Sequence, residues 1–294
     1  MSTSRSVSAR KPVETITVVT PCFNSAKYIE ETIESVINQR AVREGRLKLN
    51  YWVIDGGSTD GTQTILQRYA DRGELNFISE KDAGMYDAII KGFQRVRGEV
   101  CCYINAGDYY HLTAFDVVKE VMDAHNVSWL SGWHVMYNER SQVINFYLQK
   151  RFFRSFIRKG IYGRLQPHIQ QESTFWRTEL LDLLDFDKLR AYRYAGDFYL
   201  WHSFASQHEL TVVASQLGGF KLHPGQLSSA MDKYTNELER ICGHKLSLWD
   251  RLISSLDMLT AKLPSRKVLV PIGYERVIRW DRERNLWAAP ASNT

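Results

Sequence analysis

Hydrophobic residues follow two alternating patterns along the first third of the chain. Short apolar runs, each typical of a buried strand, occupy residues 16–20, 51–54, 75–78 and 99–104. Apolar residues at the three-to-four spacing of a helix occupy residues 25–39, 60–69 and 83–96. Because strands alternate with helices, the sequence predicts an α/β fold with a doubly wound, mostly parallel sheet.

The pattern becomes less regular after residue 110. Strand-like stretches at 127–135, 142–148 and 211–222, and helical stretches at 178–185 and 196–207, predict a second half of the same domain. Beyond Tyr234, a stripe of leucines from Leu248 to Leu263 predicts a helix. We therefore divide the chain into a flexible tail (1–13), one domain (14–234, with halves 14–110 and 111–234) and a C-terminal helical extension (235–294).

Composition narrows the class of protein. A chain of 294 residues with 44% hydrophobic residues can bury one large core. Its net charge of +5 suits an anionic substrate or membrane surface but is too small to indicate nucleic acid. The four cysteines lack metal-ligand spacing, and no apolar stretch resembles a secretory signal or a membrane span. We expect a cytoplasmic protein, with the inner face of the plasma membrane as an alternative location.

Polar clusters follow three of the predicted strands, at residues 20–24, 55–60 and 105–108. In doubly wound sheets, ligands bind beyond the carboxyl ends of the strands. Asp55 precedes a glycine pair that permits close approach of a ligand to the backbone, so it is a candidate hydrogen-bond acceptor for a nucleobase or ribose. Asp60 is more simply explained as a helix cap.

Four segments together resemble the family 2 glycosyltransferases in order and spacing. They are TPCFN at 20–24, VIDGGSTDGT at 53–62, ISEKDAGMYDA at 78–88 and NAGD at 105–108. The resemblance covers residues 15–229 and is most specific over 15–110. It implies a Rossmann-like GT-A fold, a nucleotide-binding half (14–110), an acceptor half (111–234) and a hexosyltransferase activity that uses a nucleotide-diphosphate sugar, such as a UDP-sugar.

The resemblance also implies roles in donor binding. Thr20, Pro21 and Phe23, with the adjacent Asn24, would shape the nucleotide pocket. Asp55 would read the base, and Asp82 would lie near the nucleoside or donor sugar. Lys81 would neutralise phosphate, although an exposed loop lysine is often only solvated. The donor-binding prediction therefore comprises Thr20, Pro21, Phe23, Asn24, Asp55, Lys81, Asp82 and Asp108.

Asp108 is the predicted ligand of a divalent cation, Mn²⁺ or Mg²⁺, which would neutralise the leaving diphosphate. The family commonly has a pair of acidic residues here, but this chain has Gly107 before Asp108. His223, which follows a predicted strand, is the candidate second metal ligand. The alternative is that Asp108 caps the helix that begins near Leu112.

Two segments of the second half resemble the acceptor side of the family, at 167–177 and 194–201. The resemblance makes Asp197 the general base that takes the proton of the acceptor hydroxyl, and Glu172 the second-ranked candidate. Direct displacement of this kind inverts the anomeric configuration. Asp197 could instead serve as the N-cap of the helix that follows it.

The segment 150–165 combines six basic residues with aromatic residues and contains no acidic residue. This composition suits an anionic membrane surface, so we expect a glycan or a lipid-diphosphate-linked acceptor to bind there. A mobile cleft loop with a solvated charged face explains the composition equally well. The C-terminal helix with Trp249 could assist a peripheral membrane contact or form a homo-oligomer.

Two other classes of protein remain as alternatives. A non-catalytic nucleotide-sugar-binding module would explain the missing acidic residue at position 107. A nucleotidyltransferase would share the sheet and the metal carboxylate, but it would normally have a glycine-rich basic loop after its first strand. Residues 21–24 occupy that place here.

Overall fold

The protein is described from a computed structural model that covers residues 10–222, 231–263 and 276–290. A nine-stranded sheet and a four-stranded sheet are packed with helices around one main core. The strands are β1 Thr15–Cys22, β2 Lys48–Asp55, β3 Asn76–Ser79, β4 Val100–Tyr103, β5 Tyr109–Tyr110, β6 Trp129–Ser131, β7 His134–Tyr137, β8 Val143–Tyr147, β9 Thr174–Arg177, β10 Thr211–Val213, β11 Gly218–Lys221, β12 Val277–Asp281 and β13 Leu286–Ala288. The helices are α1 Ile29–Ile37, α2 Arg40–Arg43, α3 Thr62–Asp71, α4 Met85–Phe93, α5 Ala114–Ala124, α6 Arg154–Lys159, α7 Phe186–Arg190, α8 Gly196–Phe204, α9 Met231–Cys242 and α10 Leu248–Thr260.

The large sheet has the order β13-β12-β10-β6-β9-β4-β1-β2-β3 and is mostly parallel. The exceptions are β9, which is antiparallel to both β4 and β6, and β13, which is antiparallel to β12. The small sheet has the order β5-β11-β7-β8, and three of its strands come from the second half of the domain. The predicted doubly wound α/β sheet is confirmed.

The central strands are buried because helices cover the sheet. Seven of the eight residues of β1 are buried. Helix α4 lies so close to this strand that a Cβ atom on Gly92 would stand 2.3 Å from Cγ1 of Val19. The parallel register places Cys22 opposite Asp55, so β1 and β2 end at the same edge. This edge carries the polar clusters of the first half.

Several boundaries differ from the predicted ones. Helix α1 begins at Ile29 rather than at residue 25, because Ser25 first forms a turn whose carbonyl accepts hydrogen bonds from the N–H groups of Tyr28 and Ile29. The helix predicted at 178–185 is a 3₁₀ helix over Thr178–Leu183, followed by α7. Residues 10–13 of the predicted flexible tail are bound to the domain, and Val13 is fully buried.

The C-terminal extension is not helical throughout, contrary to the expectation for 235–294. Helices α9 and α10 are present, but β12 and β13 then extend the large sheet. Strand β12 pairs in parallel with β10, with Val277 opposite Val212. Val277 and Ile278 are buried by this pairing. These two apolar residues are flanked by arginines, so the sequence pattern did not predict a strand here.

Candidate functional site

A cavity of about 390 Å³ opens at the carboxyl end of β4 and extends toward the small sheet. Three carboxylate side chains line it, and they come from distant parts of the chain. Asp108 follows β4, Glu172 lies in a 3₁₀ helix at Gln171–Ser173, and Asp197 lies in the first turn of α8. The structure therefore brings the predicted metal ligand and both predicted bases into one cavity.

The turn that presents Asp108 is fixed by helix α1. The N–H of Gly107 donates a hydrogen bond to Oγ1 of Thr32 (2.9 Å), and the same hydroxyl donates to the carbonyl of Asp108 (2.8 Å). Gly107 has φ of +111°, a conformation that favours glycine over an acidic residue. Thr113, and not Asp108, occupies the N-cap position of α5. The alternative role of Asp108 as a helix cap is therefore excluded.

Asp108 and Glu172 form a pair of buried carboxyl groups. Both side chains are almost fully buried, and the two carboxyl groups are in hydrogen-bond contact. Asp108 also accepts a hydrogen bond from the N–H of Lys221 at 2.8 Å. Burial raises the pKa of both carboxyl groups, and the proximity of Glu172 raises that of Asp108 further. Without a cation, the two carboxyl groups therefore resist being ionised together.

The residues around this pair fit a divalent cation. Oδ1 of Asn105 is buried and has no hydrogen-bond partner among the described residues. Together with Asp108 and Glu172 it provides a set of hard oxygen donors, which Mg²⁺ and Mn²⁺ prefer. Among residues 10–222, 231–263 and 276–290, no group of three or more His, Cys, Asp or Glu side chains is arranged to hold a metal ion. A diphosphate or water could supply further ligands, and His223, the other predicted ligand, lies outside the described residues.

Asp197 faces the cavity near this pair. Burial raises its pKa to about 7, so the carboxyl group can gain or lose a proton near neutral pH. Its N–H donates to Oη of Tyr86 (3.1 Å), and its Oδ1 accepts from the N–H of Phe198 (2.7 Å). Ala195 occupies the N-cap position of α8. The alternative role of Asp197 as the N-cap is therefore excluded.

Glu237 of α9 holds the backbone that precedes Asp197, although no pattern in the sequence indicates this role. Its buried carboxylate accepts hydrogen bonds from three successive N–H groups, at 2.8–3.2 Å, on Arg193, Tyr194 and Ala195. The side chain is only 8% exposed. In the sequence, Glu237 is one of several charged residues on a polar helix. Only the fold shows that it positions the start of α8.

We expect Glu237→Gln to reduce the free energy of unfolding by about 2 kcal/mol, as is typical when charge-assisted hydrogen bonds to a buried group are lost. The glutamine amide nitrogen would face N–H donors that it cannot satisfy. Urea unfolding measures the change. The control is Glu239→Gln on the same helix, because Glu239 is more exposed and its ion pair with Arg164 is long, at 3.9 Å. Equal stability of the two variants would contradict the prediction.

The stability of the metal-free protein should fall as pH rises through 7. The folded-state pKa of Asp197 is raised from 3.8 to about 7. Its contribution to the free energy of unfolding is therefore complete below about pH 4, and it is lost as the pH rises and the buried group ionises. Asp197→Asn carries no such charge. We expect the variant to gain roughly 2–4 kcal/mol relative to wild type between pH 5 and 8, since one pKa unit is worth about 1.4 kcal/mol. Urea unfolding in EDTA at both pH values tests this, and a constant difference would refute it.

Asp55 is fully buried beneath the edge formed by β1 and β2. Its carboxylate accepts hydrogen bonds from the N–H of Ser58 (3.0 Å), the hydroxyl of Ser58 and the hydroxyl of Ser79 (2.6 Å). Both carboxylate oxygens are thus engaged within the protein. A base that reached Asp55 would have to replace one of these hydrogen bonds. Its role in reading the base stays a prediction.

Phe23 and Asp82 flank Gly56 at the same edge. A Cβ atom on Gly56 would lie 2.8 Å from Oδ2 of Asp82 and 3.3 Å from Cδ2 of Phe23. The side chain of Phe23 is 62% exposed, so its ring is available for contact with a planar ligand. Burial raises the pKa of Asp82. Lys81 is exposed beside this group.

The other predicted donor-binding residues lie in or next to β1, and they stabilise the edge formed by β1 and β2. Thr20 and Pro21 are buried, and Oγ1 of Thr20 is hydrogen-bonded to Oη of Tyr51 at 3.1 Å. Asn24 joins the loops after β1 and β2, because its Oδ1 accepts from the N–H of Thr59 at 3.0 Å. Asp60 accepts hydrogen bonds from the N–H groups of Ala26 and Thr62, so its contacts are structural, but Gly61 and not Asp60 occupies the N-cap position of α3.

The basic aromatic segment 150–165 buries two of its aromatic rings in the protein. Phe152 and Tyr162 are buried and pack edge to face at 5.0 Å. Arg154 and Arg158 are exposed. Phe152 and Tyr162 therefore belong to the core, and the membrane or acceptor role of the segment stays a prediction. No helix in the described part of the chain is long and apolar enough to cross a membrane.

Known proteins resemble this chain in sequence and in fold. Chondroitin synthase of Escherichia coli is 31% identical over 108 residues, which are 36% of this chain and only 15% of that protein. The structure of Staphylococcus aureus TarS 1–349 superposes with a TM-score of 0.60 at 16% identity, covering 86% of this chain and 75% of TarS.

Glucosyl-3-phosphoglycerate synthase of Mycobacterium tuberculosis, in its complex with Mn²⁺, uridine diphosphate and product, superposes with a TM-score of 0.55 at 20% identity. The superposition covers 80% of this chain and 82% of the synthase chain. The two superpositions show the GT-A fold. The sequence pattern of glycosyl transferase family 2 matches residues 17–183, more than half of the chain. The chain therefore belongs to glycosyl transferase family 2.

Proposed function

We propose that the protein is an inverting glycosyltransferase that moves a sugar from a nucleotide-diphosphate donor, a UDP-sugar, to a hydroxyl group of a glycan or lipid-linked acceptor. One observation carries the proposal. A carboxyl group with a pKa of about 7, Asp197, shares a cavity with a carboxyl pair, Asp108 and Glu172, that fits a divalent cation. Displacement at an anomeric carbon needs both a base and a means to neutralise the leaving group.

Related structures support the donor class. TarS was crystallised with UDP and with UDP-GlcNAc, and the mycobacterial synthase with Mn²⁺ and UDP. In this chain, the exposed ring of Phe23 and the carboxylate of Asp82 stand at the strand edge where the nucleoside would bind. A cation held by Asp108 and Glu172 would neutralise charge on the diphosphate. Arg193 lines the same cavity and adds positive charge near that group.

In the proposed reaction, the acceptor oxygen forms a bond to the anomeric carbon as the bond from that carbon to the diphosphate breaks. The proton of the acceptor hydroxyl passes to Asp197, and the electron pair of the broken bond leaves with the nucleoside diphosphate. Tyr86 fixes the backbone N–H of Asp197 and so the direction of its side chain. Glu172, the second-ranked base, is assigned to the cation site because it contacts Asp108.

The alternatives fit the structure less well. A module that only binds nucleotide sugars has no need of a titratable carboxyl group such as Asp197 within its cavity. A nucleotidyltransferase would place basic residues and glycines in the loop after β1, where Phe23 and Asn24 stand.

A thermal-shift panel of nucleotide sugars with Mn²⁺ or EDTA tests the proposal. A ligand at one hundred times its dissociation constant stabilises the folded protein by about 2.7 kcal/mol. We expect one class of nucleotide sugar to raise the melting temperature, with a larger increase in Mn²⁺ than in EDTA. Release of nucleoside diphosphate should then accelerate when an acceptor is added. No stabilisation by any nucleotide sugar, or no release with any acceptor, would refute the proposed activity.

A further inference from the structure

Helix α10 is docked on the protein through its polar face. Its buried residues are Asp250, Ser254 and Asp257, which recur at the four- and three-residue spacing of one helix face. Nζ of Lys159 forms an ion pair with Asp250 at 2.6 Å. Nε2 of Gln166 donates a hydrogen bond to Oδ2 of Asp257 at 2.9 Å. Polar contacts thus hold the helix to the domain.

The opposite face of α10 is apolar and exposed. Its large side chains are between 43% and 84% exposed, and they include Leu248, Trp249, Leu252, Ile253, Leu256 and Leu259. A surface helix of a globular protein normally turns its apolar stripe toward the core. The polarity of α10 is reversed, so its apolar face is available to an apolar environment outside the domain.

The exposed charges within residues 244–263 are all positive. Between residues 244 and 263 the only carboxylates are Asp250 and Asp257, and both are buried. Lys245, Arg251 and Lys262 are exposed in the same stretch. Helix α6 is joined to α10 by the ion pair of Lys159 with Asp250. It adds two exposed arginines, Arg154 and Arg158.

We propose that α10 binds in the headgroup region of an anionic membrane, with its leucines and Trp249 in the acyl boundary and its basic residues on lipid phosphates. A second copy of the chain fits this face less well. A symmetric contact would bring the basic residues of both copies together, and the described residues 244–263 offer no exposed carboxylate to pair with them. The membrane contact does not depend on the transfer reaction.

Co-sedimentation with vesicles tests the proposal. One set consists of phosphatidylcholine and the other of phosphatidylcholine mixed with phosphatidylglycerol. We expect the wild type to bind the anionic vesicles, and to bind them more weakly at high salt. The double variant Leu252→Gln/Leu256→Gln should bind at least tenfold more weakly. Its control is Val143→Gln/Ile144→Gln, which removes two similarly exposed apolar side chains from β8 and should bind like wild type.

Two further measurements separate the possible outcomes. The melting temperature checks that both double variants are folded. It should stay close to that of the wild type, because all four substituted positions are exposed. Sedimentation equilibrium reports association between copies. The proposal is overturned if the wild type does not bind anionic vesicles, whether it is a monomer or a dimer that Leu252→Gln/Leu256→Gln dissociates. Equal vesicle binding by wild type and that variant would also overturn it.

Discussion

Asp197→Asn should bind donor normally and transfer sugar about 10²–10⁴ times more slowly, which is the usual contribution of a positioned general base. Asparagine has nearly the same shape as aspartate, and its side-chain oxygen can still accept the hydrogen bond from the N–H of Phe198. It cannot take a proton from the acceptor. The rate constant kcat should therefore fall while the thermal shift induced by donor and Mn²⁺ remains.

The pH profile gives a second measure of the same role. In the wild type, kcat/KM should rise with pH through about 7 as Asp197 becomes ionised, and this limb should be absent from the residual activity of the variant. Asp187→Asn is a suitable control, because Asp187 is 93% exposed and lies outside the cavity. Transfer by Asp197→Asn at the wild-type rate would rule out the base assignment.

Asp108→Asn should lose most of the response to Mn²⁺. We expect kcat/KM to fall by about 10²–10³, comparable to the loss of other groups that stabilise charge in a transition state. The asparagine oxygen can still accept from the N–H of Lys221, so the turn should keep its conformation. The difference between donor-induced thermal shifts in Mn²⁺ and in EDTA measures the metal response directly.

The same variant separates a metal role from a structural one. Without metal, removing one of two adjacent buried carboxyl groups relieves their repulsion. Asp108→Asn should therefore be at least as stable as wild type in EDTA at pH 8, although it is less active. A variant that is strongly destabilised in EDTA, or one that keeps the full Mn²⁺ response, would contradict the assignment of Asp108.

The first half of the fold was predictable because its signals are local. Strands β1 to β4 are short apolar runs, and each polar cluster directly follows a strand. Strand β12 was missed because its position depends on pairing with β10, which lies far away in the sequence. The two apolar residues that make this contact are too few to predict a strand by themselves.

The candidate site was predictable only in part, for the same reason. Asp108 and Asp197 lie in motifs that resemble a known family, so the sequence indicates them. The contact between Asp108 and Glu172 depends on the antiparallel pairing of β9 with β4, which brings the 3₁₀ helix beside the turn after β4. Under the proposed function, this contact would give the cation a second carboxylate, in place of the acidic residue expected at Gly107.

Under the proposed function, the contacts of Glu237 separate the activation of the acceptor from the binding of the donor. The backbone before Asp197 is held by α9, whereas the strand edge with Phe23 and Asp82 is built from residues before 110. Local opening of α9 would free the proposed base without disturbing that edge. A partly opened molecule would still hold its donor and yet be unable to activate an acceptor, so donor binding alone would not report an intact catalyst.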